Sequence, residues 1–203
     1  MLDIIHAAGW PIWLLVTTSV ITLAIIIERF LALRPSQIMP RGLPEQVLEL
    51  MRRQQDEPDA VLRLARSSAM GRILAEVVAQ RRQTDALRQA AIEAVGRDVS
   101  WRLNRYLAGL ATISVVAPLL GLFGTVVGMI EIFGAYDPTG SGNPALLAHG
   151  IAIALYNTGF GILIAIPALI FHRYFRSRVE YFLHTMEREA GALDRLISLH
   201  ISS

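Results

Sequence analysis

Among the polar side chains set in long apolar stretches, four could do chemistry: Thr125, Glu131, Asn157 and Thr158. A carboxylate inside a bilayer can take up and release a proton, so an intramembrane acid is a functional candidate by default. A hydroxyl can donate and accept one hydrogen bond, so it can orient a proton without holding it. Thr125 lies 11 residues before Tyr136, and Thr158 lies 11 residues after Leu147. At ~1.5 Å per helical residue both hydroxyls fall about 16 Å below the same surface, near mid-membrane. At one depth they could form a polar ring in an oligomer, or simply bond back to their own helix carbonyls. Glu131, five residues inside Tyr136, is the only acid in the outer half of these stretches. It lies about 120° around the helix from Thr125. It is either an outer proton relay or a hydrated interfacial group.

Small residues surround both threonines. Pro118, Gly121, Thr125, Gly128 and Ile132 share one helical face, and Ile151, Ala154, Thr158, Gly161 and Ala165 share another. Such faces let membrane helices approach closely, and Gly124 and Gly128 have the four-residue spacing of that use. The two stripes also suggest a homo-oligomer around a central cavity. Asn157 sits 100° from Thr158, where a helix–helix hydrogen bond is expected rather than ion contact. His149 and His172 fall at span ends, where interfacial placement accounts for them. Pro118 and Pro167 are expected to bend their helices. Trp10, Trp13 and Tyr174 suit an interfacial aromatic belt.

The elements that must position these groups follow from charge and hydropathy. Of 203 residues 53% are hydrophobic and 18% charged, with mean hydropathy +0.45, more apolar surface than one small soluble core could hide. The absence of Cys excludes disulfide scaffolds, thiolate metal sites and thiol catalysis. Five scattered His with no HxxxH pair argue against a metal centre, so no metal site is expected. The formal charge of +2 gives no sign of nucleic-acid binding. All 19 basic residues are Arg, 14 between Arg29 and Arg105 and five between Arg173 and Arg195. The Arg-free zones hold three apolar runs, at 7–27, 106–130 and 145–171. Each reaches the ~20 residues needed to cross a bilayer, which predicts three transmembrane helices.

The positive-inside rule places 28–105 and 173–203 on the cytoplasmic side, with the N-terminus and the loop before the third span outside. No basic segment precedes the first span, so it is expected to stay as an anchor rather than be cleaved. The predicted layout is an all-α membrane protein: residues 1–33 hold the N-terminus and first span, and 34–105 a cytoplasmic helical segment. Residues 106–136 form the second span, 137–144 an outer loop, 145–172 the third span and 173–203 a cytoplasmic C-terminal helix. Pro58 after Asp56 and Glu57 suits a first helical position. Thr84 suits an N-cap, and spacing from Leu87 to Tyr106 predicts a helix running straight into the second span. The second and third spans would then be rods of roughly 80 Å, extended far on the cytoplasmic side. Arg97, Arg102 and Arg105 are expected to face solvent and lipid headgroups rather than line a vestibule.

The stretches LATISVVAPLLGLFGTVVGMIEIF and GIAIALYNTGFGILIAIPALI resemble the second and third spans of the ExbB/TolQ/MotA family of ion-driven motor proteins. The likeness is closest to ExbB and TolQ, in APLLGLFGTVVGMI and the GIAxAL…T…GxxxAIPA pattern. Glu28-Arg29-Phe30 also resembles that family, and the three-span plan agrees along the whole chain. MotA, with four spans, fits less well. The resemblance implies an inner-membrane proton channel subunit, with protons as coupling ion and no cofactor. It implies a homopentamer around an ExbD/TolR-like single-span partner with a membrane Asp, energising a TonB- or TolA-like transducer. By the same resemblance Thr125 and Thr158 face the pore near that Asp. One departure matters: many relatives carry Glu in GIAEAL, where this chain has Ile153. A mechanism needing that carboxylate cannot operate here in the same form. The expected function is therefore non-enzymatic and ExbB-like, with a TolQ-like role as the alternative. A scaffold without an ion path is the rival from another class, and three spans without inverted repeats argue against a secondary transporter.

Overall fold

The computed structural model describes residues 9–52, 58–134 and 144–201; most of the loop at 137–144, and Asp56 and Glu57, lie outside the described residues. Among the described residues the chain is helical and has no strand. The helices are α1 (Pro11–Ala32), α2 (Pro35–Ile38), α3 (Leu43–Arg52), α4 (Pro58–Ser67), α5 (Ala69–Ala79), α6 (Asp85–Leu103), α7 (Leu107–Gly134) and α8 (Pro144–Ile201). Three helical stretches are long and apolar enough to cross a membrane: Pro11–Ala32, and the apolar parts of 85–134 and 150–198. Pro118 and Pro167 are accommodated inside α7 and α8.

One expectation is overturned. The helix begun at Asp85 ends at Leu103 and is not continuous with that of the second span, which begins at Leu107. The backbone leaves the α-helix at Asn104–Tyr106, where Asn104 Nδ2 donates to the Ser100 carbonyl at 2.9 Å. Tyr106 has φ of +63°, a conformation bulky residues rarely adopt, and its carbonyl then accepts the first bond of α7 from Leu110 N–H. With neither Gly nor Pro at 104–106, the sequence carries no conventional breaker there. Thr84 does occupy the N-cap position of α6, but its side chain makes no capping bond.

The chain divides into two compact units. The first comprises 1–28 and 106–174 and holds the apolar spans. Its core gathers Leu15, Ala117, Ile164 and Ala165, with Ile113, Leu120 and Phe160 packed around them. Its outer faces remain apolar, with Leu119, Val126, Ile130, Leu155 and Leu163 exposed, as suits contact with hydrocarbon or another membrane helix.

The second unit comprises 29–105 and 175–203. Here α8 buries Phe175, Val179, Phe182, Met186, Ala190, Leu193 and Ile197, a seam at three- and four-residue spacing. Helix α5 is capped by Ser68, whose Oγ accepts from Gly71 N–H at 2.9 Å, and buries Met70, Ile73, Leu74, Val77 and Val78. Phe30 meets Phe175 edge to face, with ring centroids 5.0 Å apart. Arg29 is buried, and its Nη1 donates to the carbonyl of Leu103 at 3.2 Å, satisfying part of the exposed end of α6.

Candidate functional site in the membrane helices

The first unit pairs α7 with α8 through their small residues. A Cβ added at Gly161 would lie 2.5 Å from the Ala117 carbonyl oxygen and 3.1 Å from the Gly121 Cα. One added at Gly121 would lie 2.7 Å from the Asn157 carbonyl oxygen and 3.0 Å from the Thr158 Cα. At Gly124 the obstacle is the Asn157 side chain, with Cβ and Cγ both at 2.8 Å. Gly128 stands opposite Ala154 at ordinary contact distance, and Gly150 takes the side chain of Ile132. The seam therefore runs antiparallel along both helices, with Ala154 and Ala165 buried beside it. Only residues without bulk let two helix backbones meet this closely. The small stripes thus face one another within one chain, which corrects their use as grounds for a cavity between copies.

The threonines lie at the margin of this seam, and both are partly exposed. Thr125 Oγ1 donates to the Leu122 carbonyl at 2.6 Å, leaving its oxygen lone pairs available to a further donor. Thr125 also lines an open groove with Val126, Met129, Ile130, Phe133 and Gly134. Thr158 backs onto Gly121 through its Cα. Asn157, next to it, is completely buried. Glu131 is exposed near the end of α7, and a Cβ built on Gly9 would lie 4.0 Å from its Oε2. It is not part of the α7–α8 seam that adjoins the threonines. The side chains of Ile153 and His149 lie outside the described residues. Trp10, Trp13 and Tyr174 are half or more exposed or close to it, and Trp10 meets Phe123 edge to face at 5.8 Å. His172 is partly buried.

In the second unit Arg97 pairs with Glu93 at 3.9 Å and Arg102 with Asp98 at 3.4 Å, each along α6 itself. Sequence reasoning missed the buried Arg88 there. Its Nε donates to Asp194 Oδ1, and its Nη2 donates to Asp85 Oδ1 and Ser198 Oγ, each at 2.8 Å. The hydrogen bond to Asp194 holds the guanidinium above its already high ordinary pKa, against the opposing effect of burial. No cluster of three metal-ligating side chains occurs among the described residues.

Residues 65–188 match the MotA/TolQ/ExbB proton channel family. The chain is 32% identical over 165 residues to the biopolymer transport protein exbB1 of Vibrio cholerae, covering 79% of this chain and 71% of that protein. It is 31% identical over 180 residues to an ExbB-like 3 biopolymer transport protein of Synechocystis, covering 87% and 85%. A shorter match, 38% over 82 residues, links it to the Tol-Pal system protein TolQ of Pseudomonas aeruginosa, covering 40% and 36%. The chain belongs to the MotA/TolQ/ExbB proton channel family, a family of transport proteins rather than of enzymes. Its three apolar helices fit a multi-pass membrane protein.

Proposed function

We propose that this chain is an ExbB-like subunit of a proton-driven inner-membrane motor that energises a TonB-type transducer for outer-membrane import. Five copies surround the membrane helices of an ExbD/TolR-like partner, with the N-terminus periplasmic and the C-terminus cytoplasmic. The observation that carries the reading is the pair Thr125 and Thr158, partly exposed beside one helix seam within a chain of this family. With Ile153 where many relatives have Glu, the titrating carrier at mid-membrane is the partner's Asp, and Glu131 is at most an outer relay. Thr125, whose O–H is already given to the Leu122 carbonyl, accepts from the protonated carboxyl in a place without bulk water, which Val cannot do.

The test is proton flux in liposomes containing the chain and its partner. Thr125→Val with Thr158→Val should assemble normally yet lose about tenfold or more in flux, the scale on which placed proton-handling groups act. Partner Asp→Asn should abolish flux, and Glu131→Gln should only slow it. Full flux in the double Val variant would favour the scaffold reading. Loss of all flux in Glu131→Gln with assembly intact would move the carrier to α7.

The shorter match to TolQ supports a second reading, service to a TolA-like transducer in envelope constriction. Complementation separates the two: rescue of TonB-dependent uptake favours the first, and rescue of outer-membrane integrity the second.

A further inference from the structure

Asn157 has no part in the proton path proposed above, yet it is completely buried in an apolar span. A buried carboxamide needs hydrogen-bond partners that Ala would not, so apolar packing alone does not account for the choice of residue. Its surroundings do. Gly121 and Gly124 are one turn apart on α7 and leave a notch in which the Asn157 side chain and carbonyl sit. The backbone carbonyl faces Gly121, while Cβ, Cγ and Nδ2 face Gly124. Position 124 immediately precedes Thr125, and position 157 immediately precedes Thr158.

We infer that Asn157 is a positioning residue, seated in the Gly121–Gly124 notch so as to fix the register of α7 against α8 and hold Thr125 and Thr158 at one depth. A slip of one residue would move one helix ~1.5 Å along its axis and turn it ~100°. The notch would then leave Asn157, and one threonine would turn away from the other. Gly128 opposite Ala154 makes only ordinary contact and does not forbid such a slip, while Ile132 in the recess at Gly150 resists it at the far end of the seam. The Asn157 side chain seated against Gly124, with its own backbone carbonyl against Gly121, forbids it beside the threonines. The role in flux rests on the proton-channel reading; the register itself does not.

The experiment compares Gly124→Ala, Asn157→Gly and the double variant, each purified as the complete complex with its partner. Three quantities are read: the melting temperature, proton flux in liposomes and the pH of half-maximal flux. Gly124→Ala places a methyl group where Asn157 now sits, so it should lower the melting temperature and cut flux by about tenfold or more, as small misplacements do. It should also shift the pH of half-maximal flux, because the carboxyl partnered by the threonines meets a changed hydrogen-bonding environment. Adding Asn157→Gly removes Cβ, Cγ and Nδ2 together, so it should relieve the clash and return the melting temperature to that of Asn157→Gly alone, while flux stays low because the lock itself is gone. Absence of relief in the melting temperature overturns the register lock. Relief there, with flux and pH profile of Gly124→Ala identical to wild type, overturns the positioning role and leaves packing alone. A wild-type complex without flux refutes the channel reading instead, and the melting-temperature coupling then decides the register.

Discussion

The two units bury different kinds of polar group. In the first, the buried polar side chains among the described residues are the neutral Thr22 and Asn157; in the second, they are the cationic Arg29 and Arg88. Thr22 is satisfied by its own helix, donating to the Thr18 carbonyl at 2.7 Å. Arg88 instead recruits carboxylates from positions 85 and 194. The surrounding medium explains the contrast. Between spans, removing apolar surface from lipid gains little, so helix pairing relies on close backbone approach at glycines and tolerates only uncharged polar groups. In the second unit burial of Phe175, Phe182 and Met186 is driven by exclusion of water, and a buried charge is tolerated once it is paired.

The largest test of this contrast is Arg88→Met. It leaves Asp194, with a side chain 22% exposed, facing an apolar group in place of its cation. Breaking a buried pair from one side costs about 3–5 kcal/mol, and the residual exposure of Asp194 sets the expectation at the lower end. Asp85 is 91% exposed and keeps its water, so it adds little. Amide exchange at 190–198 should accelerate roughly a hundredfold, since ~1.4 kcal/mol corresponds to tenfold. An acceleration below about threefold would mean that the charges of the second unit are as dispensable as ordinary surface pairs.

The counterpart in the first unit is Gly161→Ala. The obstacles to its methyl group are backbone atoms, the Ala117 carbonyl oxygen and the Gly121 Cα, which cannot turn aside. Overpacking of this kind costs about 1–3 kcal/mol. Gly159, two residues away with nothing within 4 Å of an added Cβ, is the control and should accept Ala without loss. Comparing melting curves of the two variants sharpens the argument: equal effects would show that the α7–α8 seam does not hold the first unit together.

The sequence made some of this visible and hid the rest for definite reasons. The three spans were legible because the 19 arginines avoid the apolar runs at 7–27, 106–130 and 145–171. The small faces of α7 and α8 were legible as faces, from the spacing of Gly121, Thr125 and Gly128, or Ala154, Thr158 and Gly161. Spacing names a face but not what it meets, so the direct pairing of the two stripes is not written in it. The break at Asn104–Tyr106 was hidden because a left-handed Tyr has no sequence mark. Arg88 was hidden among 14 arginines, its chief partner Asp194 being 106 residues away. Asn157 was legible as a helix-contact residue, while its notch depended on knowing which glycines stand across from it.

The smallest expected effect concerns pH, and it separates a guanidinium lock from any other cation at position 88. The Asp194 hydrogen bond raises the folded-state pKa of Arg88 above its unfolded value. A group with a raised pKa stabilises fully below its unfolded pKa, and the contribution is lost only as pH rises through the folded one. For Arg both values lie far above neutrality, so between about pH 6.5 and 9 folded and unfolded chains hold the same proton there. The stability difference between wild type and Arg88→Met should therefore stay constant across that window, to within about 0.5 kcal/mol, with no slope from this site. Arg88→Lys should keep the charge but lose the fork that reaches Asp194, Asp85 and Ser198 together, and so recover only part of the exchange protection. Exchange rates at 190–198 measured at several pH values, after correction for the intrinsic rate, provide the test. A wild-type advantage that declines steadily above pH 7 would show that the lock depends on a group titrating near neutrality rather than on the Arg88 guanidinium.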